Sequence, residues 1–245
     1  MLYPSGTIDE MRDLTDHCVD HGISALYFPD HLIGGGNADS TTTTPWLALW
    51  PTLMDVAQRH PDVDIGTLVS SPSLRPAAQL CVEASTVAHI IGRDRFRLSI
   101  GAGGAQSDQI YVGEHLQPSE LAERFHEYVS EVEAYRQSTH SPPLRLASDF
   151  HLRVASDSVS TIDVVNSFGD SWVTTGGWKK TLDERIERVK ILYSHLSPDF
   201  SGSVAVTADV SDGITTTSSS GDVQQYASLY NIPIDEIIIP LSVKR

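Results

Sequence analysis

Five short polar stretches of this 245-residue sequence combine residue types that could do chemistry. Asp30-His31 sets a carboxylate beside an imidazole. A histidine of ordinary pKa, about 6.5, can give or take a proton at neutral pH, and it can equally do no more than close a strand. Ser70-Ser71 offers two hydroxyls. Gly101-Ala102-Gly103-Gly104 would let backbone N–H groups approach a ligand, yet the third glycine of a dinucleotide fingerprint would fall on Gln106, so the turn is a weak signal alone. Ser156-Asp157-Ser158 supplies hydroxyls and a carboxylate. Thr174-Thr175-Gly176-Gly177, ahead of Lys179-Lys180, has the hydroxyls, N–H groups and charge to hold a phosphate, or is a plain glycine turn with a solvated basic pair. His17 and His21 stand four residues apart beside Asp16 and Asp20, but without an HExxH pattern or a third ligand they read as an exposed helix face, and no metal is expected.

The elements around these stretches alternate. A T-x-x-E capping box, Thr7 to Glu10, opens a helix that runs to Gly22 with Leu14, Cys18 and Val19 at helical spacing, and residues 23–31 then read as a buried strand. The pattern repeats as helix 45–60, strand 63–69, helix 76–90, strand 95–100 and helix 118–136, the last with Leu121, Phe125, Tyr128, Val132 and Tyr135 on one stripe. It then compresses. Strands at 144–147 and 152–155 lie too close for a crossover helix, and helix 161–168, strand 171–174, helix 182–196, strand 204–207, helix 223–230 and strand 237–239 finish the chain, with a low-complexity 215–220 among them. Strand–helix alternation of this kind predicts a parallel α/β fold, in which loops at the carboxyl ends of strands hold the chemistry. All five polar stretches fall on that side. No linker interrupts the sequence, so a single domain, 1–245, is expected.

Composition narrows the partners. With 17 Lys and Arg against 32 Asp and Glu, the net charge of −15 argues against nucleic acid and anionic membrane surfaces. No apolar run approaches the roughly 20 residues of a membrane span and no signal-peptide pattern opens the chain, so a cytoplasmic location is expected. Cys18 and Cys81 fit neither a disulfide framework nor a zinc motif.

Four segments in order, ALYFPDH (25–31), IGTLVSSPSLRPA (65–77), GRDRFRLSIGAGG (92–104, with Gly113 downstream) and FGDSWVTTG (168–176), resemble the luciferase-like monooxygenases over about 150 residues. The tail NIPIDEIIIPL (231–241) is similar to that family's last strand. The resemblance implies a TIM (β/α)8-type barrel that works with reduced FMN or with the deazaflavin coenzyme F420. By position, His31 matches the residue that handles a proton near the ring and Asp30 its partner at the strand end. Leu68-Val69 matches a non-prolyl cis peptide beneath the ring system, Ser71 a hydroxyl that touches the coenzyme, and Ala102-Gly103 backbone that faces it. Ser156 and Ser158, in Ser156-Asp157-Ser158, and Thr175-Gly176 match positions that hold the ring edge or the phosphate.

The sequence also departs from the family. Its first strand is absent or reduced to residues 1–4, and the insertion after the fourth long helix is missing, which makes this a trimmed barrel at about 31 residues per unit (245/8). Gly104 stands where sugar-phosphate dehydrogenases of the deazaflavin branch keep a glutamate, and Trp178 where they keep a phosphate-binding lysine. The expected function is a flavin-dependent oxidoreductase of the luciferase-like monooxygenase class, acting on a small organic substrate and molecular oxygen with a flavin or deazaflavin reductase as supplier. Two alternatives stand beside it: F420-dependent hydride transfer without oxygen, and a non-catalytic flavin-binding protein derived from the same fold. The reduced first strand predicts a sheet edge that a homodimer would cover.

Overall fold

The computed structural model describes residues 1–4, 6–34, 44–103, 117–137, 150–177 and 180–242. Gly35, Gly36, Gly104, Gly113, the 144–147 strand, Trp178 and Lys179 lie outside them. The chain divides into two compact units, Met1–His151 with Leu241–Arg245, and Leu152–Pro240.

The first unit opens with β1 (Leu2–Tyr3), only two residues long, which pairs in parallel with β11 (Leu241–Ser242). Helix α1 (Ile8–Asp20) begins where the sequence places it: the Thr7 hydroxyl accepts from Glu10 N, and Glu10 returns the bond to Thr7 N at 2.7 Å. β2 (Ala25–Phe28) follows, then a short antiparallel pair, β3 (Ile33–Gly34) with β4 (Thr44–Pro45). The predicted 45–60 helix therefore starts later, as α2 (Leu49–Arg59), because Pro45 belongs to that pair. β5 (Asp64–Thr67), α3 (Ala77–Ile91), β6 (Phe96–Ile100) and α4 (Pro118–Arg136) complete the unit. β2, β5 and β6 are parallel and adjacent in that order. Gly66, in the middle strand, is a glycine for steric reasons: a Cβ there would lie 2.4 Å from Arg97 O.

The second unit, from Leu152 on, is all but the first residue of β7 (His151–Ala155), then α5 (Val159–Phe168), β8 (Ser171–Thr174), α6 (Leu182–Tyr193), β9 (Ser203–Thr207), α7 (Ser220–Ser228) and β10 (Glu236–Ile238). Its four strands run parallel in the order of sequence. A turn of 3-10 helix, Val210–Asp212, capped by Asp209, was not legible in the sequence. Strand–helix alternation in both units, with one strand cut to two residues, is the element order of a trimmed TIM-type barrel.

Each unit has its own core. Leu26, Phe28, Ile65, Leu80, Phe96 and Leu98 are fully buried in the first, with Phe125, Val129 and Val132 from α4; Leu152, Val154, Trp172, Val189 and Val206 fill the second. At roughly 1.5–3 kcal/mol per side chain, this apolar burial is what holds strands and helices together. Cys18 and Cys81 are free and buried. Among the described residues no helix is long and apolar enough to cross a membrane.

Candidate functional site

In the first unit the carboxyl ends of β2, β5 and β6 bring one group of the sequence-selected residues together. Phe28 O accepts from Leu68 N at 2.8 Å and Val69 O from Asp30 N at 3.3 Å, so the loop after β2 is stitched to the loop after β5. Ser70 N in turn donates to Ser99 O at 2.8 Å and Ser70 O accepts from Gly101 N at 2.9 Å, which ties in the loop after β6. These bonds place Asp30, His31, Leu68, Val69, Ser71, Ala102 and Gly103 on three neighbouring strand ends. The Leu68–Val69 peptide is cis.

Asp30 is buried, and its carboxylate is paired with the Arg75 guanidinium. Burial pushes this carboxyl above its ordinary range; Arg75, the Ser70 hydroxyl and His31 pull it back without cancelling the effect. Arg75 itself is held from two further sides. Its Nε lies 2.9 Å from Glu83 Oε2 on α3, and its guanidinium carbon sits 5.7 Å from the centre of the Trp50 ring on α2. The His31 ring meets Trp46 edge-on at 5.6 Å between centroids. An imidazole next to a strand-end carboxylate is a group that can give and take a proton.

Two observations bear on whether a flavin or deazaflavin ring fits against this group. Ser71 Oγ is buried and has no hydrogen-bond partner among the described residues, so a ring nitrogen or carbonyl would give it one. Gly103 adopts φ +82°, and a Cβ there would meet Ser71 Cβ and Oγ and Ser73 Oγ at 3.2 Å, so the chain is bare backbone at that point. Both fit the ring.

In the second unit the loops after β7 and β8 are joined by one carboxylate. Asp157 Oδ1 accepts from Thr174 Oγ1 at 2.5 Å and from Thr175 N at 2.8 Å, while Oδ2 accepts from Thr175 Oγ1 at 2.5 Å. The two hydroxyls accept in turn from Gly176 N and Gly177 N, both at 3.0 Å. Asp157 O is gripped by Arg188, at 3.0 Å from Nε and 2.6 Å from Nη2. Ser156 Oγ lies 2.7 Å from Thr161 Oγ1 and donates to Ser158 O at 3.1 Å; Ser158 Oγ lies 2.9 Å from Ser160 Oγ and from Thr161 Oγ1. Gly176 has φ +70° and lies where a Cβ would meet Arg185 at 2.9 Å.

Sequence reasoning quoted Arg75 only as part of a motif and gave Asp157 no role of its own. Arg75 could have been found by asking which cation a buried Asp30 would need. Trp46, Trp50 and Arg188 carried no such signal. His17 on α1 and His21 at its C-cap are exposed, with ring centroids 4.1 Å apart.

No protein-family model matches the chain. A curated relative, the F420-dependent glucose-6-phosphate dehydrogenase of Amycolatopsis mediterranei (strain U-32), is 25% identical over 147 residues, 57% of this chain and 41% of its own length. The match thus spans about two-fifths of that relative. Among solved structures, an F420-dependent secondary alcohol dehydrogenase in complex with an F420-acetone adduct superposes with a TM-score of 0.72 at 11% identity, over 99% of this chain and 92% of that one. EDTA monooxygenase from Chelativorans sp. BNC1 gives 0.59 at 11% identity, over 96% and 66%. The chain therefore has the α/β fold of the luciferase-like oxidoreductases, in trimmed form.

Proposed function

We propose that this protein is a luciferase-like oxidoreductase that uses coenzyme F420 to exchange a hydride with a small organic substrate. The observation that carries the reading is the Asp30-His31 pair at the end of β2, with Asp30 buried against Arg75, with the Ser71 hydroxyl, unpartnered among the described residues, one strand along and the bare backbone of Gly103 two strands along. When bound, the coenzyme supplies or accepts the hydride. The chain's own residues handle the rest. His31, next to the carboxylate, gives or takes the proton at the substrate oxygen that balances hydride transfer. Ser71 and the 102–103 backbone would lie against the ring and orient it.

Both the curated relative and the alcohol dehydrogenase use F420, and this supports F420 over the oxygen-dependent alternative. FMN with oxygen is retained as a second reading because EDTA monooxygenase and a type II Baeyer-Villiger monooxygenase in complex with FMN share the fold. Gly104, in place of the glutamate of sugar-phosphate dehydrogenases, points away from a sugar phosphate as substrate. The test is anaerobic titration of the purified protein with reduced F420 and with reduced FMN, followed by mixing each complex with carbonyl compounds or oxygen. Tight binding of F420 with carbonyl-dependent oxidation supports the proposal. Oxygen consumption by the FMN complex would replace it with the monooxygenase reading, binding without turnover would leave a flavin-binding protein, and no binding of either coenzyme would end all three.

A further inference from the structure

The second unit disagrees with the family pattern at the coenzyme's phosphate, and this inference rests on the flavin-type reading above. The resemblance gives phosphate or ring-edge contacts to Ser156, Ser158, Thr175 and Gly176. To hold a phosphate, the turn after β8 must offer free N–H and O–H groups. Among the described residues, 174–177, its donors are already spent. Thr174 Oγ1, Thr175 Oγ1 and Thr175 N all donate to the Asp157 carboxylate at 2.5–2.8 Å, and Gly176 N and Gly177 N donate to the two threonine hydroxyls. Ser156 and Ser158 are engaged with Thr161, Ser160 and the Ser158 carbonyl. The nearby Lys180 ammonium is 4.0 Å from Glu184, which shares its charge.

We infer that the Asp157 carboxylate is the resident anion of the 174–177 turn and makes this turn select against phosphate. Its two oxygens take the hydroxyl and amide donors that two phosphate oxygens would otherwise take. A phosphate would have to expel a carboxylate fixed by three hydrogen bonds to its side chain and by Arg188 on its main-chain oxygen, or else sit beside it as a like charge. At such separations like charges cost about tenfold or more in affinity.

Two measurements on the full chain test the inference. The first needs no coenzyme: thermal unfolding in inorganic phosphate against chloride at matched ionic strength, for the wild type and for Asp157→Asn, which keeps one acceptor oxygen and removes the charge. The wild type should show no phosphate-dependent rise in Tm. Asp157→Asn should show one, and adding Thr175→Val should abolish it. A Thr175-dependent phosphate effect in the wild type, or none in Asp157→Asn, overturns the inference.

The second measurement uses the wild type and Thr175→Val. FMN and riboflavin should bind the wild type within about threefold of each other, as should F420 and its phosphate-free deazariboflavin core. A tenfold advantage of the phosphorylated partner that Thr175→Val removes would also overturn the inference. If no member of either pair binds, the proposed function fails while the phosphate titration still decides this point.

Discussion

Arg75, at the head of α3, reaches back across 45 positions of sequence to the carboxylate of Asp30 at the end of β2. The pair is mostly buried, with 17% and 6% of the two side chains exposed. Removing one partner of a buried pair leaves an uncompensated charge, which costs more than the intact pair contributes. Arg75→Met should therefore destabilise the protein by about 3 kcal/mol at neutral pH. The loss has a direction with pH. Burial already raises the Asp30 carboxyl above its ordinary range, and losing Arg75 removes the largest influence opposing that rise. A carboxyl raised in the folded state contributes stability that is complete below its unfolded value, about 3.9, and is lost as pH climbs through the folded value. Chemical unfolding of Arg75→Met should show a growing deficit from about pH 4 towards neutrality. A deficit that is the same at pH 4 and pH 7 would mean that Arg75 acts by packing on Trp50 and not by charge.

Gly103 and Gly213 have nearly the same φ, +82° and +78°, but opposite surroundings. A Cβ on Gly213 would meet nothing within 4 Å, whereas on Gly103 it would press on Ser71 and Ser73 at 3.2 Å. Gly213→Ala should cost about 1 kcal/mol, the cost of a side chain at positive φ. Gly103→Ala should cost measurably more and should also weaken coenzyme binding by about tenfold or more. Denaturant titration of the two variants side by side, with coenzyme affinity for each, separates backbone cost from lost space. Equal stability costs and unchanged affinity would remove Gly103 from the site.

Much of this frame was legible in the sequence because local chemistry dictates it. The Thr7–Glu10 box starts α1, and the strands expected at 23–31, 63–69, 95–100 and 171–174 formed at 25–28, 64–67, 96–100 and 171–174. What escaped was set by contacts between distant residues. Pro45 pairs with Ile33 and so delays α2; Asp30 finds Arg75; the Thr174 and Thr175 hydroxyls turn to Asp157 and not outward. Periodicity marks where a strand ends, but which donor a hydroxyl serves depends on the neighbouring loop, and no spacing rule carries that.

His31 supplies the sharpest kinetic prediction. If it moves a proton at the substrate oxygen, His31→Ala should lower turnover by about 10²–10⁴-fold and leave coenzyme affinity nearly intact. Single-turnover oxidation of bound reduced coenzyme, with affinity measured separately, distinguishes the two. Equal losses in both would place His31 in binding, through its edge-on contact with Trp46.

The acid limb of stability should be set largely by the second unit. Burial alone would push the Asp212 carboxyl up, but hydrogen bonds from Arg185, at 2.5 and 2.6 Å, and from Tyr226 Oη at 2.6 Å outweigh it and hold the carboxyl below its ordinary range. Arg185 and Asp212 are both buried, with 4% and 3% of their side chains exposed. A carboxyl lowered in the folded state contributes stability that is present above its unfolded value, about 3.9, and disappears as pH falls through the folded value. Unfolding free energy should thus drop steeply below about pH 4. Tyr226→Phe, which removes one donor to an ionised acceptor, should cost about 1.5–3 kcal/mol at neutral pH and lessen that drop, since the carboxyl then titrates closer to its unfolded value. The measurement is stability against pH from 2.5 to 7 for both proteins; parallel curves would show that Tyr226 does not hold the Asp212 charge, and that Arg185 and the Asp209 N–H, at 2.8 Å, do.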